Sequence, residues 1–435
     1  MVKFEITRSR IRLPARRRAV NCDDPGAPPI RKPFRVLSLD GGGPWALIQA
    51  RALAALYPNE TGRQILRRFD LAVANSGGSI TLAGLLKDLR PDEIADLFLK
   101  QSNRNRLFVS WMWPFPWLSR CIEVLPRWHA RKKLPGLISI MDEGPNKVAD
   151  VSMHDIPAKC GLDNLRLMIV SFDYYGNRGY FFRSYCSKLQ TGASQFVPTL
   201  AGAVHASSNA PVSFFDEPAE IAPARGKETP RRFWDGGIGG YNNPVLLGVV
   251  DSIANGVAPR DILALSIGTG TVWRPRHCGP GLQKSERPIY REMARPSVLR
   301  DVAKVAKAIL GDPPDAASLH AHVITSEGID GALRIIRLNP VIRPEMSRED
   351  RWSISDIYGQ RAGNRTALAN FRTLCDMPMD AVRQHEVELI DAAACAWLRD
   401  AIPNQPIRQN SDTAQCEIGH ASFSAARQAW LAQVP

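Results

Sequence analysis

The chain reads as an α/β protein with a mostly parallel central sheet sandwiched by helices and with extra helices toward its C-terminus. Three observations predict this. Two strand–turn–helix units follow one another in the first hundred residues, further apolar strands recur after helical stretches, and no internal repeat is present. Strands that alternate with helices build parallel sheets, because each crossover needs a helix to carry the chain back.

Residues 1–34 read as an arm, basic at first and then turn-rich through Asp23-Asp24-Pro25-Gly26. A buried strand follows at Phe34–Leu39 and stops at Asp40 and three glycines. From Trp45 to Tyr57 apolar residues recur at helical spacing, and Pro58 ends the run. A second strand, Phe69–Ala74, runs into Asn75-Ser76-Gly77-Gly78, with a helix directly after. Later strands are legible at Leu165–Phe172 and Ile262–Ile267, and helical stretches near 297–310 and 378–400. The organisation expected is an arm at 1–34, a main domain at 35–355, and a helical extension at 356–435 packed on that same domain.

Composition narrows the class. With 44% hydrophobic and 23% charged residues among 435, the chain can bury a large core and is not disordered. No apolar run approaches the roughly 20 residues of a spanning helix; the best decoy, Leu71–Leu86, is short and interrupted by Asn75 and glycines. The first residues lack the apolar stretch and cleavage site of a signal peptide. Eight cysteines lie far apart without any C-x-x-C, so neither a zinc site nor a disulfide scaffold is indicated. A cytoplasmic protein, peripherally associated with membranes, is expected. The net charge of +13 is concentrated in the arm, where ten basic residues face three acidic ones within the first 35 positions. Such a balance suits anionic lipid, nucleic acid or solubility alone.

Three motifs carry chemistry. At Val73-Ala74-Asn75-Ser76-Gly77-Gly78, a serine sits on a sharp strand-to-helix turn with small residues two before and two after, as a nucleophile elbow requires. A phosphate-binding or merely tight turn is the rival reading. Asp40-Gly41-Gly42-Gly43 frees backbone N–H groups to converge on an oxyanion or a phosphate. Gly41, Gly43 and Ala46 also satisfy the dinucleotide pattern G-x-G-x-x-A, but no second strand ends in an acid about 20 residues on. Asp235-Gly236-Gly237, on an apolar lead-in, reads alone as a turn.

Taken in this order, the three motifs resemble those of the patatin-like phospholipase family, in its bacterial type of lipid acyl hydrolase. Ala203–Pro211, Asn242–Pro244, Leu265–Gly270 and Arg337–Pro340 also look familial, so the likeness runs from about residue 34 to the mid-300s. Trp45 and Ala46 replace the family's basic residue and glycine after the glycine run, and Ala74 replaces the first glycine of its elbow. The resemblance implies a fold related to the α/β hydrolases and a Ser–Asp dyad. Ser76 is the implied nucleophile, Asp235 the general base, and the N–H groups of Gly41, Gly42 and Gly43 the oxyanion hole. Ala74, Asn75, Gly77 and Gly78 shape the elbow. No cofactor and no metal are implied. His205, in a small-residue helical stretch, would complete a triad but fits packing better; Ser207 and Ser208 lack an elbow and read as structural.

Leu107–Leu118 holds three tryptophans, Trp111, Trp113 and Trp117, with Arg120, Arg127, Arg131, Lys132 and Lys133 behind it. Rings beside cations suit a lipid interface, although a buried aromatic cap fits equally. The expected partners are a phospholipid or lysophospholipid substrate and an anionic membrane surface, with no nucleic acid. Cleavage of carboxylic esters through an acyl-enzyme leads. The alternatives are acyl transfer, a phospholipase effector of toxin or antiphage type awakened by a ligand, and a non-catalytic membrane- or nucleotide-binding protein.

Overall fold

The structure, a computed structural model, describes residues 33–110, 125–187, 196–225, 229–276, 289–291, 314–346, 352–359, 366–410 and 412–434. Their centre is an eight-stranded mixed sheet. Its strands are β1 (Phe34–Leu39), β2 (Leu71–Asn75), β3 (Arg166–Asp173), β4 (Arg178–Arg183), β5 (Ala219–Ile221), β6 (Arg231–Asp235), β7 (Ile262–Ile267) and, after the two-residue β8 (Thr271–Val272) outside it, β9 (Ile335–Leu338). Hydrogen bonding connects them as β5–β6–β3–β2–β1–β7–β9, with β4 also on β3. The run β3–β2–β1–β7–β9 is parallel throughout. The antiparallel flank of β4, β5 and β6 has weaker signals in the sequence, because these strands are short and partly exposed.

Alternation along the strands divides the core into two layers. Leu37, Ala72, Ile169, Leu265 and Ile336 face one side, while Val36, Val73, Met168, Ala264 and Ile335 face the other. Side chains of a strand point alternately to its two faces, so a sheet apolar on both must be covered twice. The first layer receives α1 (Leu47–Leu56), α2 (Gly62–Leu66), α3 (Gly77–Leu86), α4 (Pro91–Leu99), α5 (Gln101–Leu107), α6 (Ala130–Met141), α7 (Ile156–Lys159) and α8 (Leu200–Ser207). The opposite layer is covered by α9 (Val245–Ala254) and α10 (Pro314–Thr325). The chain then returns to the first layer with α11 (Ala367–Asp376), α12 (Gln384–Leu398) and α13 (Phe423–Gln433), whose Phe371, Trp397 and Trp430 enter the same core as α1. The helical stretch expected near 297–310 lies outside the described residues, as does nearly all of the arm.

Two features of the register position the site. Leu39 pairs with Ala74 and with Ile267, and Ile267 with Leu338, so β1, β2, β7 and β9 all end level. Asp40, Asn75, Gly268 and Asn339 therefore stand side by side at the carboxyl edge, where open α/β sheets hold their ligands. The second feature concerns β3. Its residues 166–170 pair with β2, and its residues 171–173 pair with β6, while β4 occupies the opposite edge across 168–173. Hence β2 and β6 share one edge of β3 and meet end to end: Asn75 is opposite Val170, and Asp235 is opposite Ser171. Two residues 160 positions apart in sequence are brought together by one register.

Candidate active site

Ser76 takes φ 48° and ψ −121°, a conformation costly for any residue with a Cβ, on the turn between β2 and α3. The turn is tight because α3 begins at the next residue. Helix and strand approach so closely that a Cβ on Gly78 would lie 2.5 Å from the Leu39 carbonyl oxygen. This is the elbow expected from Ala74, Asn75, Gly77 and Gly78, and α3 directs its positive N-terminal end toward the serine. Ser76 is only 5% exposed.

Asp235 ends β6 and is 3% exposed. Its Oδ1 accepts from the Asn75 side-chain amide at 3.1 Å and from the Gly237 N–H at 2.8 Å. Burial raises its pKa; hydrogen bonding to Ser76, to Gly237 and to Asn75, together with the positive charge of Lys133, opposes the rise. A raised carboxylate is a stronger base, so this environment fits proton abstraction from the Ser76 hydroxyl. The glycine after Asp235 answers to space: a Cβ on Gly236 would lie 2.6 Å from Asn75 Oδ1. The D-G-G motif is thus a close approach between two strand ends, with the second glycine supplying a donor.

His205 is buried on α8, and its Nδ1 has no hydrogen-bond partner among the described residues. Burial and then the neighbouring Lys133 push its pKa well below the ordinary imidazole value, so it is neutral. The Ser76 hydroxyl is among the groups that lower the Asp235 pKa and is not among those that shift His205. Ser207, read as structural, turns out to touch the elbow: its Oγ accepts the Ser76 backbone N–H at 2.9 Å.

The glycine run rests on a buried ion pair. Arg337 binds Asp40 through both guanidinium nitrogens at 3.0 and 2.5 Å and also donates to Ser266 Oγ at 2.7 Å. The loop above it is held by Thr269 Oγ1, which donates to the Gly41 carbonyl at 2.7 Å. The Gly41 N–H donates to the Asn242 carbonyl at 2.8 Å. Of the three N–H groups expected to form an oxyanion hole, that of Gly41 is thus already engaged, while no hydrogen bond from the Gly42 or Gly43 N–H is present among the described residues. The signal for the Gly41 contact was present in Asn242-Asn243-Pro244, but nothing in the sequence says which backbone amide that carbonyl would take. Gly41 and Gly42 floor a cleft of about 280 Å³. Its lining mixes polar side chains, among them Asn242, Thr269 and Thr271, with apolar ones, among them Trp45, Leu374 and Met377.

Trp111, Trp113 and Trp117, expected from the sequence at a lipid interface, lie outside the described residues. Among the described residues, basic side chains behind them are divided between ion pairs and the interior. Arg127 pairs with Asp380 at 3.0 Å, Arg131 with Glu217 at 2.5 Å, and Lys133 is buried. A run of cations on a helix spreads around it, and the sequence alone does not say which face is covered. Among the described residues no cluster of His, Cys, Asp or Glu could hold a metal ion, and no helix is long and apolar enough to cross a membrane.

An elbow serine and an aspartate thus stand on abutting strand ends beside a glycine-rich loop. Residues 37–248 match the model of the patatin-like phospholipase family, and this stretch contains every residue of the site named from sequence. The match stops short of the mid-300s that the sequence motifs suggested. Among solved structures the chain is similar to VipD from Legionella pneumophila, at 10% identity and a TM-score of 0.31 over 85% of this chain and 67% of that one. It is also similar to the type III effector protein ExoU, at 14% identity and a TM-score of 0.21 over 43% of this chain and 40% of that one. No curated protein matches the sequence. The family implies hydrolysis of ester bonds in lipids.

Proposed function

We propose that the protein is a lipid acyl hydrolase of phospholipase A or lysophospholipase type, acting through Ser76 and Asp235. The observation that carries the reading is the buried Asp235 carboxyl, brought by the β3 register to the elbow, where it accepts from Asn75, the residue before Ser76, at 3.1 Å. Asp235 takes the proton as Ser76 Oγ attacks the ester carbonyl, and the N–H groups of Gly42 and Gly43 hold the resulting oxyanion. Collapse returns the proton from Asp235 to the departing alcohol and leaves an acyl ester on Ser76. Asp235 then deprotonates a water, which releases the fatty acid and restores the serine. A half-polar, half-apolar cleft beside the glycine loop suits an amphipathic ester.

Incubation with a fluorophosphonate ester, followed by mapping of the adduct, tests the reading. Label on Ser76, with release of fatty acid from phospholipid vesicles, supports it; label elsewhere, or transfer of the acyl group to an added alcohol in place of hydrolysis, rejects it. The burial of both reacting groups favours a second reading, in which a ligand or partner must open the site. Activity that appears only with such an addition would distinguish it.

A further inference from the structure

Lys133 is the most unusual group outside the dyad. It lies on α6, is 2% exposed, and has no carboxylate within ion-pair distance among the described residues. A lysine almost never loses its water without a partner, because desolvating an ammonium costs several kcal/mol. Its Nζ instead donates to the Ser208 carbonyl and stands 4.3 Å from the centroid of the Phe215 ring. Ser208 has an informative place in the chain. The residue before it, Ser207, accepts the Ser76 backbone N–H, and the carbonyl of the residue after it, Asn209, accepts the Asp235 backbone N–H at 3.0 Å. Three consecutive residues at the end of α8 thus hold the nucleophile, the lysine and the base.

We propose that Lys133 is a positioning residue for the Ser76–Asp235 pair, its buried ammonium tying down the Ser207–Asn209 strap and supplying positive charge to the Asp235 carboxylate. The inference rests on the hydrolase reading of that pair. Asp235 on β6 and His205 on α8 are the titratable groups that face the lysine. On the other elements packed against α6, the charges are satisfied elsewhere. Arg104 of α5 binds the Phe98 and Leu99 carbonyls, Arg106 pairs with Glu143, and Glu220 of β5 pairs with Arg232. Burial pulls the Lys133 pKa down to about 7, and Asp235 works against that fall. The cation is therefore held in place by the carboxylate it supports, and its loss weakens the anionic form of Asp235.

The test compares the full-length protein with Lys133→Met, which removes the charge at similar volume, and Lys133→Arg, which keeps it. The Asp235 carboxyl is titrated by carbon-13 NMR, its resonance assigned by disappearance in Asp235→Asn. Without a neighbouring cation the acid form is favoured, so the midpoint in Lys133→Met moves upward by about one pH unit, while Lys133→Arg restores most of it. The acidic limb of kcat/KM for a soluble ester moves the same way, with a loss of about tenfold below the limb and far less above it. Lys133→Gln takes the place of the Met variant should that fail to fold. An unmoved midpoint in a folded variant, or an equal loss of rate at every pH, assigns Lys133 to packing and overturns the proposal. A moved midpoint in a protein that shows neither Ser76 labelling nor hydrolysis retains Lys133 as the support of Asp235 and rejects the hydrolase reading instead.

Discussion

Ser76, Asp235 and His205 are all buried within one layer of the fold, yet their chemistry diverges with their neighbours. Ser76→Ala keeps the strained turn, since the strain is in the backbone; labelling and hydrolysis are expected to vanish while Tm stays nearly constant. Asp235→Asn is expected to lower kcat by about 10⁴-fold, as loss of a group acting in concert with the nucleophile does. His205→Gln should cost far less. It should also change the acid stability. A histidine held below its ordinary value in the folded state leaves the unfolded chain binding more protons as pH falls, so stability present above about pH 6.5 is lost on acidification. Urea unfolding between pH 7 and 5 should show a shallower loss in His205→Gln than in the wild type; equal slopes would mean the imidazole titrates in the folded protein as it does in the unfolded chain. At this scale Ser76 and Asp235 were legible from their turns. The second role of Asn75, whose amide binds Asp235, and the hold of Ser207 on Ser76 were not, because a side chain's partner 131 or 160 positions away leaves no local pattern.

Among the elements, the glycine loop depends on residues that local motif reading does not connect. Asp40 follows β1 and Arg337 lies in β9, and both are 2% exposed. Removing one partner of such a pair strands the other charge, so Arg337→Met is expected to destabilise by about 3–5 kcal/mol in denaturant unfolding, with part recovered in Asp40→Asn/Arg337→Met. Additivity of the two substitutions would show that they do not form a working pair. The loop itself is crowded: a Cβ on Gly42 would lie 2.3 Å from Thr269 Oγ1. Gly42→Val should therefore displace the oxyanion donors and reduce kcat by roughly 10²–10³-fold, whereas binding of a dinucleotide lost in the same variant would return the loop to its rival reading. The stretches Arg337–Pro340 and Leu265–Gly270 stood out in the sequence without a stated reason. Their reason is that β7 and β9 end level with β1, beneath the loop.

Over the whole molecule, the residues after 356 behave as part of the core. Trp430 stacks on Phe69 with ring centroids 5.7 Å apart, its Nε1 donates to the Tyr57 hydroxyl at 2.6 Å, and Arg51 on α1 pairs with Asp391 on α12 at 2.8 Å. Trp430→Ala is expected to cost about 3–5 kcal/mol, and a chain ended before α11 should lose its cooperative unfolding transition. A truncated protein that melts as sharply as the whole would make the extension a separate unit. For membrane association, vesicle co-sedimentation across a salt series is the measure. Deleting residues 1–30 should weaken binding mainly at low salt, since charge attraction is screened, and replacing Trp111, Trp113 and Trp117 by Ala should weaken it at every salt concentration. Loss of soluble-ester activity in the Trp variant would place those rings in the pocket wall instead.

By itself the sequence determined what is written in local periodicity and turn chemistry. That covers the parallel strands bounded by glycine turns, the two-sided apolar pattern that demands helices on both faces, and the serine and aspartate at the ends of strands. The tertiary structure decided what depends on register and burial. One strand, β3, presents the ends of β2 and β6 to each other, so the elbow and Asp235 meet although no spacing connects them. Burial then sorted residues of like appearance: Lys133 went inside while Arg131, two positions earlier, stayed at the surface. The physical reason is the same in both cases. Hydrogen-bond register and desolvation are set by what packs alongside a residue, and those neighbours come from distant parts of the chain.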